Sequence, residues 1–364
     1  MKAAVLHGKQ DLRIGEVDEP VPDIGEVLLR VACVGVCGTD HAEWWNGPRM
    51  FPVLQQHPVT GHVGPMIMGH EFSGVVESCG PGVSEDWGGR RVVSSAAVSC
   101  GDCIHCRGGR SNLCHVYYGI GLHRDGALAQ YVTVPTSALL DITDSPLTLD
   151  EGALAQPMAI AHHAVRRGDP QHQSTIIVQG VGGIGAFIVR VLAELGHRVI
   201  AVDLDELRLQ IATAMGAEVV VFAVGEQDEV AAELRSLIRT YSVELAFEVS
   251  GSAPGLEVLR SSLGMGARIV LVGIQKGGQT SDLGSVTTRE QELIGTNGLV
   301  HARDLPAAVR SLEKIAGNWA LVAPVVHPLA AQLGGILEQM ATGANLRPIK
   351  ALIDPWSLDA RTLA

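Results

Sequence analysis

The chain has 364 residues, of which 46% are apolar and 18% charged. This composition excludes a disordered chain, and the length favours two domains over one. The 39 acidic residues outnumber the 27 basic ones, giving a net charge of −12, so we expect neither nucleic acid nor a membrane as a partner. Without a long apolar stretch or an apolar leader at its start, the sequence predicts a cytoplasmic protein.

The first half of the sequence alternates short β-like runs with turns rich in Gly and Pro. Examples are Val27–Ala32, Gly74–Glu77 and Arg91–Ser94. This pattern predicts a β-rich domain with little helix. Two small clusters of polar residues in this half contain possible metal ligands, Cys37-Gly38-Thr39-Asp40 and Gly69-His70-Glu71. Taken alone, each cluster is compatible with an ordinary buried Cys or His.

Four of the seven cysteines fall in one window, Cys100-x2-Cys103-x2-Cys106-x7-Cys114. A compact loop with this spacing can place four thiolates around a tetrahedral Zn²⁺. Because such a site has no open coordination position, we predict that its role is structural. An iron–sulfur cluster has a similar spacing and is the competing interpretation, with four free thiols as a third.

After about residue 174 the pattern changes to strands alternating with amphipathic helices, which predicts a parallel sheet covered by helices. Gly196 and Gly216 end the first two helices. The predicted elements are strands Thr175–Val178, Arg198–Asp203, Val219–Phe222, Leu245–Val249 and Ile269–Val272, and helices Ile184–Leu195, Leu207–Met215 and Val230–Tyr241.

The first of these strands leads into a G-x-G-x-x-G loop, which is typical of dinucleotide-binding sites. The loop reads Gly180-Val181-Gly182-Gly183-Ile184-Gly185. Gly180 is expected to make the tight turn, Gly182 to let the backbone approach a pyrophosphate, and Gly185 to let strand and helix pack closely. Asp203 at the end of the next strand can accept both ribose hydroxyls, which favours NAD over NADP. Arg208 is also within reach of the ribose and weakens that preference.

Read together, these motifs resemble the zinc-dependent medium-chain alcohol and polyol dehydrogenases. The resemblance extends over nearly the whole chain, in the order Cys37–Asp40, Gly69–Glu71, the four cysteines, Asp125–Val132, the glycine loop and Val270–Gly273. It implies a GroES-like β-rich catalytic domain (1–157, with a zinc lobe at about 96–116), a Rossmann domain (158–296) with a doubly wound parallel sheet, and a return segment (297–364). The active site of that family lies in the cleft between the domains.

The resemblance also implies roles for single residues. Cys37 and His70 would bind a catalytic zinc, Glu71 would be a nearby carboxylate, Asp40 would orient His70, and Thr39 would pass on the substrate proton. The remaining ligand position, usually Glu in polyol dehydrogenases, is Gln156 here. An amide binds zinc more weakly than a carboxylate, so this departure puts the strength of the site in question.

A second departure concerns proton transfer, because the position five residues after Cys37 is Ala42 rather than the His of butanediol-type sequences. On a strand His41 would point away from this position, and Glu43 is a further candidate for the relay. The insert Gly47–Pro65 is most similar to those of bacterial 2,3-butanediol dehydrogenases and sorbitol dehydrogenases. We expect this insert to line the substrate pocket. The candidate wall residues are Phe51 and His57 in the insert, and Trp44 and Trp45 just before it.

The sequence therefore predicts an oxidoreductase that uses NAD and two zinc ions per chain, one structural and one catalytic. A secondary alcohol, vicinal diol or polyol is the expected small-molecule substrate, with a 2,3-butanediol/acetoin-like pair favoured. Dehydrogenation of a sugar, cyclitol or biosynthetic intermediate is an alternative within the same fold. A zinc-free reductase and a non-catalytic nucleotide-binding or regulatory protein are further alternatives. The resemblance also implies a homodimer or homotetramer, formed partly through edge strands of the nucleotide domain.

Overall fold

The computed structural model describes residues 1–275, 282–342 and 349–363. In these residues no helix combines the length and the apolar character needed to cross a membrane. The chain divides into two compact units, one made of Met1–Ala159 and Leu299–Ala364, the other of Ile160–Gly298.

The N-terminal part of the first unit is mainly β-structure. Its elements are β1 (Lys2–Gly8), β2 (Asp11–Glu16), β3 (Glu26–Val36), α1 (Gly38–Asn46), β4 (Met66–Ile67), β5 (Glu71–Cys79), β6 (Arg91–Ser94), β7 (Ala97–Val98), α2 (Ile104–Arg107), β8 (Tyr118–Gly119), β9 (Tyr131–Pro135), β10 (Leu139–Asp141), α3 (Leu149–Gly152) and α4 (Ala155–Gly168), which ends in the second unit. The strands predicted in this half are present, and β3 and β5 are longer than predicted.

Strand β3 is the centre of the main sheet of this unit. It pairs with β5 along one edge and with β9 near its start on the other. Nearly every residue of β3 is buried, as expected for a β-branched, apolar strand that has neighbours on both sides. Its last residues lead directly into α1, so the strand fixes the position of that helix.

The second unit alternates strands with helices. Its elements after α4 are β11 (Thr175–Gln179), α5 (Gly185–Glu194), β12 (Arg198–Asp203), α6 (Glu206–Met215), β13 (Val219–Phe222), α7 (Gln227–Tyr241), β14 (Leu245–Glu248), α8 (Ala253–Ser262), β15 (Arg268–Leu271), α9 (Leu283–Thr288) and β16 (Glu292–Gly295). The sheet order is β13-β12-β11-β14-β15-β16, and every pair is parallel. This 3-2-1-4-5-6 order confirms the predicted Rossmann fold.

The return segment adds α10 (His301–Glu313), β17 (Val325–Pro328), α11 (Leu329–Thr342), β18 (Ala351–Asp354) and β19 (Arg361–Thr362). Strand β18 pairs antiparallel with β3, where Ala351 lies opposite Val36, and parallel with β17. The end of the chain is therefore part of the same sheet as residues 26–36. This pairing brings Lys350, which immediately precedes β18, to the end of β3.

Candidate active site

Three of the predicted site residues, Cys37, Thr39 and Asp40, lie at the start of helix α1. Cys37 is the residue before the helix, and its backbone N–H donates a 2.9 Å hydrogen bond to Oδ2 of Asp40. An acidic residue in the first turn that accepts from the N-cap amide is a common way to start a helix. Thr39 is half-buried, and its hydroxyl lies 3.8 Å from Sγ of Cys37. The cap thus fixes thiol and hydroxyl side by side.

His70 and Glu71 reach the same place from the start of β5. Gly69 before them has φ of +95°, and a Cβ there would lie 2.8 Å from the backbone N of Leu128. Glycine is therefore required for the chain to turn into β5 at this point. One ligand atom from each of Cys37, His70 and Glu71 lies within 4.8 Å of the other two. The three residues form a small cluster that can hold a metal ion.

The negative charge around His70 makes this cluster attractive to a cation. His70 is buried, and its Nδ1 lies 3.5 Å from Oδ1 of the fully buried Asp40. Burial alone lowers the pKa of His70, but the charges of Asp40 and Cys37 outweigh that effect and raise it well above its ordinary value. A thiol, an imidazole and a carboxylate are donors that zinc accepts, so the residues present fit a zinc ion.

A residue that the sequence analysis missed completes the surroundings of Glu71. Nζ of Lys350 lies 2.7 Å from Oε1 and 2.5 Å from Oε2 of Glu71, and 3.3 Å from the carbonyl oxygen of Val36. Both side chains of the ion pair are buried. Burial lowers the pKa of Lys350, but Glu71 and Cys37 together raise it above its usual value. No local signal marks this lysine, because it is 279 residues from Glu71.

Gln156 lies in the first turn of α4 and is buried. A buried amide needs hydrogen-bond or metal partners. Its role as a zinc ligand stays a prediction.

His41 and Glu43, the two residues considered for the proton relay, make contacts in and next to helix α1. The expectation that His41 lies on a strand is wrong, since residues 38–46 form α1, and its ring packs against Trp45 with the centroids 6.4 Å apart. The carboxylate of Glu43 accepts hydrogen bonds from the backbone N–H groups of Arg49, Met50 and Phe51. Glu43 thus organises the loop that follows α1, and its role in the relay stays a prediction.

The four candidate wall residues of the substrate pocket differ in burial and in their contacts. Trp44 and Phe51 belong to the buried apolar core of the first unit. Trp45 is partly exposed. The ring of His57 stacks on that of His123 with the centroids 4.5 Å apart, and Thr60 donates a 2.7 Å hydrogen bond to the carbonyl of His123. These two contacts fix the insert against the 118–124 segment.

The four cysteines of the lobe come together as the spacing predicts. Cys100, Cys103, Cys106 and Cys114 place their sulfur atoms within 4.8 Å of one another, and the pairs include Cys103–Cys106 at 3.6 Å. Backbone N–H groups, first that of Cys106, lower the pKa of Cys103 to about 6, whereas burial and the neighbouring thiol of Cys103 raise that of Cys106 to about 11. Four sulfur donors at these distances fit a closed zinc site.

The glycine loop between β11 and α5 has the predicted geometry. Gly180 has φ of +87°, and a Cβ at that position would lie 2.7 Å from the backbone N of Ser250. A Cβ on Gly185 would lie 1.9 Å from the carbonyl oxygen of Gly180, whereas one on Gly182 would meet no atom within 4 Å. The loop is tightly packed beneath and open at Gly182, and Gly183 and Ile184 connect it to α5. This is the arrangement that a pyrophosphate needs.

Asp203 is buried at the end of β12, and its carboxylate organises the loop. Oδ2 accepts a 2.7 Å hydrogen bond from the backbone N–H of Val181, and Oδ1 accepts one from Asp205 at 3.0 Å. Arg208 approaches Oδ1 to 3.8 Å and is partly exposed. Asp203 and Arg208, both predicted for the ribose site, are therefore adjacent. Backbone hydrogen bonds hold the carboxylate of Asp203 in place.

Comparisons with known proteins agree with both halves of this description. Residues 23–144 match the family described as "Alcohol dehydrogenase GroES-like domain", and residues 183–314 match "Zinc-binding dehydrogenase". The chain is 34% identical to the sorbitol dehydrogenase of Bacillus subtilis over 75% of each chain. It is 33% identical to the (R,R)-butanediol dehydrogenase of the same organism, over 86% of this chain and 88% of the relative.

A solved structure gives the same result for the fold. The crystal structure of 2R,3R-butanediol dehydrogenase from Bacillus subtilis superimposes with a TM-score of 0.83 and 28% identity, over 97% of this chain and 99% of that one. The predicted GroES-like fold and zinc are confirmed as features of the family. A nicotinamide dinucleotide is bound in a solved structure of a putative zinc-binding dehydrogenase from Sinorhizobium meliloti 1021, which is 25% identical, over 97% of this chain and 99% of that one, with a TM-score of 0.79. The chain belongs to the zinc-dependent medium-chain alcohol and polyol dehydrogenases and is an oxidoreductase that acts on CH–OH groups.

Proposed function

We propose that this enzyme uses NAD to oxidise a secondary hydroxyl of a vicinal diol or small polyol, and NADH to reduce the matching ketone. The observation that carries this proposal is the cluster of Cys37, His70 and Glu71, with the hydroxyl of Thr39 beside it. The same chain supplies a dinucleotide loop with a buried acid at its ribose end. A metal-binding site and a nicotinamide-binding site in one chain suit hydride transfer at the carbon that carries a hydroxyl group.

Zinc would be held by Cys37 and His70, with Gln156 as a further candidate ligand and the carboxylate of Glu71 nearby. When bound, zinc supplies a Lewis acid that makes a hydroxyl more acidic or a carbonyl more electrophilic. Asp40 would keep the ring of His70 in one orientation through Nδ1, leaving Nε2 for the metal. Oγ1 of Thr39 would accept the proton of the substrate hydroxyl and pass it towards solvent.

The preference for NAD rests on Asp203. The adenosine ribose of NAD offers two hydroxyl donors to a carboxylate, whereas the 2′-phosphate of NADP would be repelled by it. The guanidinium group of Arg208 lies 3.8 Å from this carboxylate, so the positive charge of Arg208 is partly compensated and attracts a 2′-phosphate less. We therefore assign the preference for NAD to Asp203.

A 2,3-butanediol/acetoin-like pair is the favoured substrate within this class. Its support is the similarity to the butanediol dehydrogenase of Bacillus subtilis and the insert held by Glu43 and His123. The sorbitol dehydrogenase of that organism is equally similar, which makes a longer polyol the second candidate.

The test is NADH formation with the purified enzyme on the stereoisomers of 2,3-butanediol, on sorbitol and on 2-butanol as the matched mono-alcohol. We expect a higher kcat/KM for at least one butanediol isomer than for 2-butanol, because only the diol has a second hydroxyl. Equal values for diol and mono-alcohol would contradict the diol proposal. Preference for sorbitol would select the longer polyol.

We also propose a reducing compartment such as the cytoplasm, because all seven cysteines are unpaired and a four-thiolate site needs reduced thiols. A homodimer or homotetramer is the expected assembly, to be tested by light scattering on the purified protein.

A further inference from the structure

The ion pair between Glu71 and Lys350 is built across strand β3. Gly35 of β3 lies opposite Glu71 of β5 on one side and opposite Leu352 of β18 on the other. A Cβ on Gly35 would lie 2.4 Å from Oε2 of Glu71. The carboxylate thus occupies the space that a side chain at position 35 would take. Because Gly35 has no side chain, Lys350 can reach Glu71 from the far side of the strand.

Lys350 engages both oxygens of the carboxylate. Its Nζ lies 2.7 Å and 2.5 Å from them, and it also donates to the carbonyl of Val36. The same carboxylate belongs to the cluster whose ligand atoms lie within 4.8 Å of one another. An ammonium group and a zinc ion would therefore compete for the same oxygen lone pairs.

From this geometry we infer that Lys350 is a positioning residue: it holds Glu71 beside the metal instead of on it, and so keeps a coordination position open for the substrate. This inference rests on the proposed function of the Cys37–His70 site. It assigns a role to the return strand, since only the pairing of β18 with β3 brings Lys350 to this point.

Removal of the ammonium group tests the inference by changing what Glu71 can do. In Lys350→Met the buried carboxylate loses its partner, and the metal becomes the nearest cation. A buried carboxylate without a partner is strongly disfavoured, so we expect Glu71 to bind the metal. The substrate would then compete with a protein ligand. In Lys350→Arg the positive charge remains, so Glu71 should stay in its ion pair.

The experiment uses Co²⁺ in place of zinc in the wild type, Lys350→Met and Lys350→Arg. Three readouts are taken: Co²⁺ per chain, the visible absorption of Co²⁺, and the rate of metal loss to a chelator. The four-cysteine site contributes equally to each protein, so difference spectra report the Cys37–His70 site. For Lys350→Met we expect a changed spectrum, metal loss slower by about tenfold and a lower kcat. Lys350→Arg should match the wild type.

Two further variants connect the effect to Glu71. Glu71→Gln in the wild-type background should leave the Co²⁺ spectrum unchanged, because Glu71 is not a ligand there; this holds the test open even if Lys350→Met does not fold. Lys350→Met/Glu71→Gln should lose the spectral change of the single variant. A wild-type spectrum for Lys350→Met, or a changed one for Glu71→Gln, overturns the inference alone. One Co²⁺ per wild-type chain, in the four-cysteine site, overturns the proposed function as well.

Discussion

The backbone N–H of Val181 donates a 2.7 Å hydrogen bond to Oδ2 of Asp203, so the acid expected to bind the ribose also holds the glycine loop. One residue therefore connects coenzyme choice with loop geometry. The guanidinium group of Arg208 lies 3.8 Å from Oδ1 of the same carboxylate.

Replacing Asp203 should change the coenzyme preference. In Asp203→Ala we expect KM for NAD to rise about 30-fold, corresponding to roughly 2 kcal/mol for a lost hydrogen bond to a charged group. NADP should become relatively better, since Arg208 is released to meet its 2′-phosphate. The measurement is kcat/KM for both coenzymes. Asp205→Ala is the matched control, because Asp205 caps α6 and its loss should lower stability without changing the preference. An unchanged preference in Asp203→Ala would contradict the assignment.

The four-cysteine lobe should behave as a structural site. In Cys103→Ser we expect bound zinc to fall from about two ions per chain to about one, and Tm to fall by about 5 °C or more. Turnover per folded molecule should change little. Elemental mass spectrometry and thermal unfolding measure the two quantities. A variant that keeps its Tm but loses turnover would show that the lobe serves the chemistry.

Gln156→Glu should strengthen the catalytic metal site. A carboxylate binds zinc more tightly than an amide, and we expect zinc loss to a chelator to slow by about tenfold. The matched control is Gln171→Glu, which adds the same charge at an exposed position. If both variants lose zinc at the wild-type rate, Gln156 is not a ligand.

Glu43 should be important for stability. Its buried carboxylate accepts hydrogen bonds from three consecutive backbone N–H groups, and Glu43→Gln removes the charge and part of the accepting capacity. We expect the free energy of unfolding to fall by about 2 kcal/mol, measured with urea. Glu77→Gln, an exposed change on β5, should stay within about 0.5 kcal/mol of the wild type. Equal effects of the two changes would contradict a structural role for Glu43.

The stacked pair His57 and His123 should make stability depend on pH. Burial, and then the charge of His57, lower the pKa of His123 from 6.5 to about 4. Between these values the unfolded chain binds a proton that the folded chain does not. The contribution is therefore fully present above pH 6.5 and is lost as the pH falls towards 4, by at most about 3 kcal/mol.

Urea unfolding at several pH values measures this dependence. His123→Gln should flatten the slope between pH 6.5 and 4, whereas the exposed control His172→Gln should keep it. An identical slope in all three proteins would assign the pH dependence to other groups.

Local patterns predicted β11 to β15 and α5 to α7 of the second unit, since each of these elements has its own periodicity, but they did not predict α8, α9 or β16. Strands Arg198–Asp203 and Val219–Phe222 have the predicted bounds. Helix α7 begins at Gln227 rather than Val230 because Asp228 and Glu229 stabilise its first turn without being apolar. The cysteine lobe was equally visible, because four ligands within fifteen residues form a local motif.

Helix α1 and Lys350 could not be predicted in this way. The sequence of α1 has little apolar periodicity, and the helix depends on hydrogen bonds that Asp40 and Glu43 accept from Cys37 and from the loop after the helix. Lys350 reaches Glu71 only through the register of β18 on β3. Contacts of this kind depend on tertiary structure and leave no signature in a local sequence window.

The position of β18 also has a consequence for synthesis of the protein. β3 emerges from the ribosome long before its partner strand at residues 351–354. Until then the carboxylate of Glu71 has no ammonium partner. A chain terminated before residue 349 would contain Cys37, His70, the cysteine lobe and the complete Rossmann unit, yet its metal site would lack the charge that accompanies Glu71. Assembly of this site is therefore completed only after Lys350 and β18 have been translated.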